Sequence, residues 1–130
     1  MDYEILVQKV YETILESGDN AIDVGAHVGR HTFPITNKIA PIGKVFAFEP
    51  LPMCLRQLSK SIAKKYYSLK EIISLYPFAL SDYEAEAEFI VAVDALGYSC
   101  FKERKYDYET RTDKIRVNVR KLDNILFKIY

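Results

Sequence analysis

The sequence predicts a single α/β domain: a mostly parallel sheet with an appended antiparallel hairpin. Three observations carry that reading. Short apolar runs at 21–24, 45–48 and 72–76 alternate with stretches of helical periodicity, the order that parallel strands joined by right-handed crossovers require. Residues 86–93 and 114–119 instead alternate polar and apolar side chains across a very polar segment at 102–113, as an antiparallel pair does. The length, 130 residues with 49% hydrophobic and 28% charged side chains, matches one soluble domain that buries about two thirds of its unfolded surface without a metal or disulfide.

Each element follows from its residues. Ile5, Leu6, Val10, Ile14 and Leu15 recur at helical spacing among Glu, Lys and Gln, which predicts an amphipathic opening helix stopped near Gly18. After the first strand, a helix is expected from about Gly29 to Ile39, closed by Pro41 and Gly43. Pro34 falls in its first turns, where a missing amide costs least. A further helix is expected over 51–67, with Leu55, Leu58, Ile62 and Ala63 inward and Lys60, Lys64 and Lys65 in water. No internal repeat or low-complexity tract interrupts this order.

Composition excludes several functions. Zero net charge offers no global field for nucleic acid or an anionic membrane. No apolar run reaches the roughly 20 residues that span a bilayer, and the acidic, amphipathic start does not read as a signal peptide. Cytoplasmic placement is expected, with Cys54 and Cys100 as two reduced thiols. The mixed-sign stretch 102–114 reads as a solvated loop, and the ten tyrosines are too dispersed for a stacking platform.

The chemistry concentrates in residues 21–50. The first strand ends in Asp23 and Val24 and runs into Gly25 and Gly29, where missing side chains permit a sharp turn and close ligand approach. The second strand delivers Glu49 at the bend before Pro50, twenty positions beyond Gly29, a spacing at which an acid in a βαβ unit reaches ribose hydroxyls. His27 stands where a dinucleotide fingerprint has its middle glycine, and an imidazole there crowds a pyrophosphate, so NAD is disfavoured. S-adenosylmethionine has no phosphate. It asks for loop amides or a helix start for its carboxylate, an acid for its ribose and a polar group for its adenine, which the turn, Glu49 and Ser81 with Asp82 supply in order.

Plainer roles stand beside these. Asp23 equally serves to hold the turn's amides, Glu49 to open the following helix as a dipole-favoured acid, and Ser81 and Asp82 to bond their own backbone in a turn. His27 and His31 are four apart, yet His27 lies in the turn and no third ligand falls nearby, so no metal site is expected. His27 is placed at the pocket rim and His31 as an ordinary helix residue.

The stretches IDVGAHVGRHT, VFAFEPLPMCLRQL, FALSDYEAEAEF, GYSCF and VNVRKLDNIL fall in the order and rough spacing of the FkbM-like S-adenosylmethionine-dependent methyltransferases, which the chain resembles over most of its length. The resemblance implies a Rossmann-like class I methyltransferase fold and O-methylation of a sugar or natural product, with a small-molecule acceptor. It places Asp23, Gly25 and Gly29 at the methionine end of the cofactor, Glu49 at the ribose and Ser81 with Asp82 near the adenine. Ala26, His27 and Pro50 complete the expected cofactor-binding set. Family members continue into a strand of the form KIDVEG that brings an acid to the pocket, whereas the sequence stops at ILFKIY. The fold is therefore expected to be incomplete at the C-terminal side, as a fragment or as a domain completed by a second chain or another copy across an open sheet edge. No catalytic base is assigned. The rival expectations are a non-catalytic binding remnant and a nicotinamide-dependent oxidoreductase.

Overall fold

The computed structural model describes residues 2–93 and 111–126. In chain order the elements are α1 (Tyr3–Ile14), β1 (Asn20–Val24), α2 (Thr32–Ile39), β2 (Lys44–Phe48), α3 (Pro52–Lys64), a single 3-10 turn (Tyr67–Leu69), β3 (Ile73–Tyr76), β4 (Phe78–Leu80), β5 (Ala85–Val93), β6 (Arg111–Arg120) and α4 (Leu122–Leu126). β1, β2 and β3 form a parallel sheet in that order, with Val24 beside Phe48 and Phe48 beside Tyr76. A second sheet has the order β4-β6-β5, β4 parallel and β5 antiparallel to β6. The expected parallel unit and hairpin are both present.

β2 is the spine of the first sheet because both of its faces are apolar. Alternate side chains of a strand point to opposite faces, so Val45 and Ala47 join Phe33, Ile35 and Ile39 of α2 and Leu58 of α3 in one core. Phe46 and Phe48 join Ile125 of α4 in the other, with Tyr76, Phe78 and Leu80 packed alongside. Burying each such side chain contributes about 1.5–3 kcal/mol. β1 has β2 on one edge and no strand on the other among the described residues, and its Ile22 and Val24 are exposed.

Several boundaries differ from expectation, each for a physical reason. α2 starts at Thr32, not Gly29, because Gly29 has φ +96° and cannot enter a right-handed helix. α3 ends at Lys64, leaving Ala63 exposed and Tyr67 in the 3-10 turn. Pro77, which has no amide to give a ladder, separates β3 from the three-residue β4, a strand too short to announce itself. α4 is likewise unannounced at five residues. α1 buries none of its residues, and Ile5, Leu6, Val7, Val10 and Ile14 are exposed. Cys54 is disulfide-bonded, which overturns the reading of two reduced thiols. Cys100, the GYSCF stretch, residues 102–110 of the polar segment and the proposed strand start at 127–130 lie outside the described residues.

Glu84 ties the second sheet to α4, accepting from Asn124 Nδ2 at 2.7 Å and Arg120 Nε at 3.3 Å. The Asn124 amide first, then the Arg120 guanidinium, holds the Glu84 carboxyl below its ordinary value of 4.5. A carboxylate depressed in the folded state adds stability above its unfolded value and loses it as pH falls through the folded one. Acid unfolding of Glu84→Gln should therefore show a shallower stability loss below pH 4.5 than the parent chain; superimposable profiles would contradict this.

Candidate functional site

The carboxyl ends of β1 and β2 lie side by side, and the turn between β1 and α2 is built on them. Gly25 N and Ala26 N both donate to Phe48 O, at 2.8 and 2.9 Å, so the chain folds back across the neighbouring strand as soon as β1 ends. Gly25 has φ +77° and His27 φ +54°. The second is a left-handed conformation that costs a non-glycine residue about 1–2 kcal/mol. It is held by a charged bond: His27 N donates to Glu49 Oε2 at 2.8 Å. Glu49 Oε1 accepts from Leu51 N, the residue capping α3, at 3.1 Å, and Glu49 N donates to Tyr76 O at 3.0 Å. One buried carboxylate thus joins the β1 turn, the end of β2 and the start of α3.

Asp23 has a different partner. Its Oδ2 accepts from Thr32 Oγ1 at 2.6 Å, and Thr36 Oγ1 donates to Thr32 O at 2.6 Å. Asp23 therefore staples β1 to the first turn of α2, while the turn's amides belong to Phe48 and Glu49. Gly29 is required for two reasons. Its φ is left-handed, and an added Cβ would stand 2.3 Å from Phe33 Cε2 and 2.9 Å from Leu58 Cδ1. Its lack of a side chain lets Phe33 pack in, where the ring stacks on Tyr66 with centroids 3.8 Å apart.

An open cavity of about 1110 Å³ lies against this turn. Asp23, Gly25, Ala26, His27 and Gly29 line it, so five of the nine sequence-derived candidates meet on one wall. Glu49 and Pro50 are not among the lining residues, but Glu49 Oε2 accepts from the amide of His27, which is one of them. Ser81 and Asp82 follow β4 and are not among the lining residues; both are exposed, and Ser81 Oγ donates to Asp82 Oδ1 at 3.3 Å. Further lining comes from residues that no motif singles out, because only the tertiary fold brings them to the turn: Asp2, Tyr3 and Glu4 at the start of α1, and Ser61, Lys65 and Tyr66 around the end of α3. His31 also departs from expectation. It occupies the position just before α2 without a side-chain capping bond, lines the cavity, bonds Tyr11 Oη through Nδ1 at 2.9 Å and pairs with Glu4 through Nε2.

The chain matches the methyltransferase FkbM domain over residues 23–129. No curated protein matches it. Among solved structures it is similar to a candidate rRNA-methylase of Clostridium thermocellum, at 16% identity and TM-score 0.53 over 57% of this chain and 39% of that one. It is also similar to the methyltransferase FkbM from Methylobacillus flagellatus KT, at 14% identity and TM-score 0.51 over 85% of this chain and 23% of that one. These likenesses bear on fold alone, which is the Rossmann-like α/β fold of class I methyltransferases. The chain spans less than half the length of either protein.

Replacing Glu49 by alanine orphans two amides at a buried position and should lower unfolding stability by about 2–4 kcal/mol. Asp82→Ala, at an exposed turn, should stay within about 0.5 kcal/mol. Denaturant titration of both variants checks the contrast, and equal effects would refute the clamp.

Proposed function

We propose that this chain, which belongs to the FkbM methyltransferase family, binds S-adenosylmethionine at the β1 turn and forms the methyl-donor half of a methyltransferase. The supporting observation is the join of a left-handed, glycine-flanked turn to an acid at the end of the adjacent parallel strand, His27 N to Glu49 Oε2 at 2.8 Å. Ligands of open α/β sheets sit outside the carboxyl ends of the strands. Gly25, Ala26 and Gly29 present backbone there with little side chain in the way, His27 stands at the rim, and the start of α2 adds the positive end of a helix dipole for the methionine carboxylate. Asp23 stands at the same wall for the ammonium group. Each Glu49 oxygen keeps a second lone pair beside its amide, the acceptor capacity that a ribose diol requires. Pro50 sets the bend beside it, and Ser81 and Asp82 are assigned to the adenine.

S-adenosylmethionine would supply a sulfonium-bound methyl group for in-line displacement by the acceptor oxygen, the C–S bond breaking to leave a neutral thioether and the hydroxyl proton passing to solvent. The protein's contribution is chiefly alignment. The proposed acceptor is a hydroxyl of a sugar or another natural product, as the family resemblance suggests, and the named residues all serve the donor.

Calorimetric titration tests this reading. The chain should bind S-adenosylhomocysteine and not NAD, and Glu49→Gln should bind it at least tenfold more weakly, about 1.4 kcal/mol. Ser81→Ala and Asp82→Ala should each weaken it severalfold. A preference for NAD would overturn the cofactor, and unchanged affinity in the last two variants would remove them from the adenine.

A further inference from the structure

We infer that the amino-terminal half of α1 is a hinged wall of the ligand cavity, held shut by a latch centred on His31. The two ends of the helix are secured very differently. At its carboxyl end Tyr11 and Leu15 pack on the first core, and the following turn is fastened by Gly18 N to Ile39 O at 2.9 Å, Ser17 Oγ to Ala40 O at 2.8 Å and Glu16 N to Asp19 Oδ2 at 2.8 Å. At its amino end no side chain is buried, and Tyr3, Ile5, Leu6 and Val7 are exposed. Among the described residues, polar side-chain contacts hold that end to the turn and α2: Glu4 to His31 Nε2, and Arg30 Nη1 to Gln8 Oε1 at 2.6 Å. A helix held by half-buried apolar packing and a hydrogen-bonded turn at one end, and by exposed polar contacts at the other, opens about its better-held end, because exposed contacts of this kind contribute only about 0.2–1 kcal/mol each.

The opening would matter because Asp2, Tyr3 and Glu4 line the same cavity as Gly25 to Arg30. His31 serves both sides: it precedes α2 at the cavity wall and touches α1 at Glu4 and Tyr11. Whatever occupies the β1 turn therefore meets the latch, and closing the wall over it removes water from the site. α1 lies outside the residues matched by the family, 23–129. That the occupant is an adenosyl ligand rests on the reading proposed above.

Amide hydrogen exchange of the full chain, with and without S-adenosylhomocysteine, decides the matter in the parent protein, Glu4→Gln and His31→Asn. Asparagine is itself a favoured helix cap, so the second variant removes the latch and spares α2, while the first leaves α2 untouched. Residues 4–9 should exchange roughly threefold to tenfold faster in both variants, with the segment 15–19 unchanged. The ligand should slow residues 4–9 in the parent protein and should bind both variants more weakly by a similar factor. Unaltered exchange of residues 4–9 in both variants would overturn the latch. Faster exchange extending equally through 15–19 would overturn the hinge, and faster exchange with undiminished affinity would overturn the wall's role. If the parent protein binds no S-adenosylhomocysteine, the adenosyl reading fails and the exchange pattern alone still decides latch and hinge.

Discussion

One buried carboxylate organises the end of the sheet where the cavity lies. Glu49 reaches from the end of β2 to the amide of His27 in the neighbouring turn and to the amide that opens α3. A charged acceptor with two backbone donors, 4% exposed, is far stronger than a solvent-exposed bond of the same length, since water does not compete for it. It offsets the cost of the left-handed backbone at His27 and fixes the shape against which a ligand is bound. The same group thus has a structural duty and a proposed ligand duty, and the two are compatible because each oxygen uses one lone pair on backbone.

The rest of the fold places that group. β2 is apolar on both faces, so it is trapped between the α2–α3 core and the Phe46–Phe48–Ile125 core, and its last residue cannot drift. Asp23 does for α2 what Glu49 does for α3, anchoring the helix start to a strand end through Thr32. Gly29 then lets Phe33 and Leu58 close beneath the turn. Rigid support under a strained turn is the arrangement expected where backbone itself meets the ligand.

The central βαβ unit was legible because its signals are local: a four-residue apolar run, a glycine turn, and an acid at a set distance. The hairpin was legible from period-two alternation in residues 86–93 and 114–119. What escaped notice depends on contacts far apart in sequence. Glu4 meets His31 across 27 positions, so neither the α1 wall nor the contacts of His31 had a sequence signature. Helical periodicity carries the expected α2 start back to Gly29 because it does not register that this residue is left-handed. Elements as short as β4 and α4 hold too few residues to show a period. Asp23 and Glu49 were both marked as important, but only the coordinates divide their labour, giving the turn's amides to Glu49 and a hydroxyl to Asp23.

The most direct measurement is the behaviour of the His27 amide, followed by nuclear magnetic resonance in the native chain and in Glu49→Gln. A bond to a buried carboxylate should leave this proton far downfield and slow to exchange in the native chain, with both properties lost in the variant while β1 and β2 amides stay protected. An amide at His27 that exchanges as fast as a loop amide in the native chain, or that is indifferent to the substitution, would contradict the account at its centre.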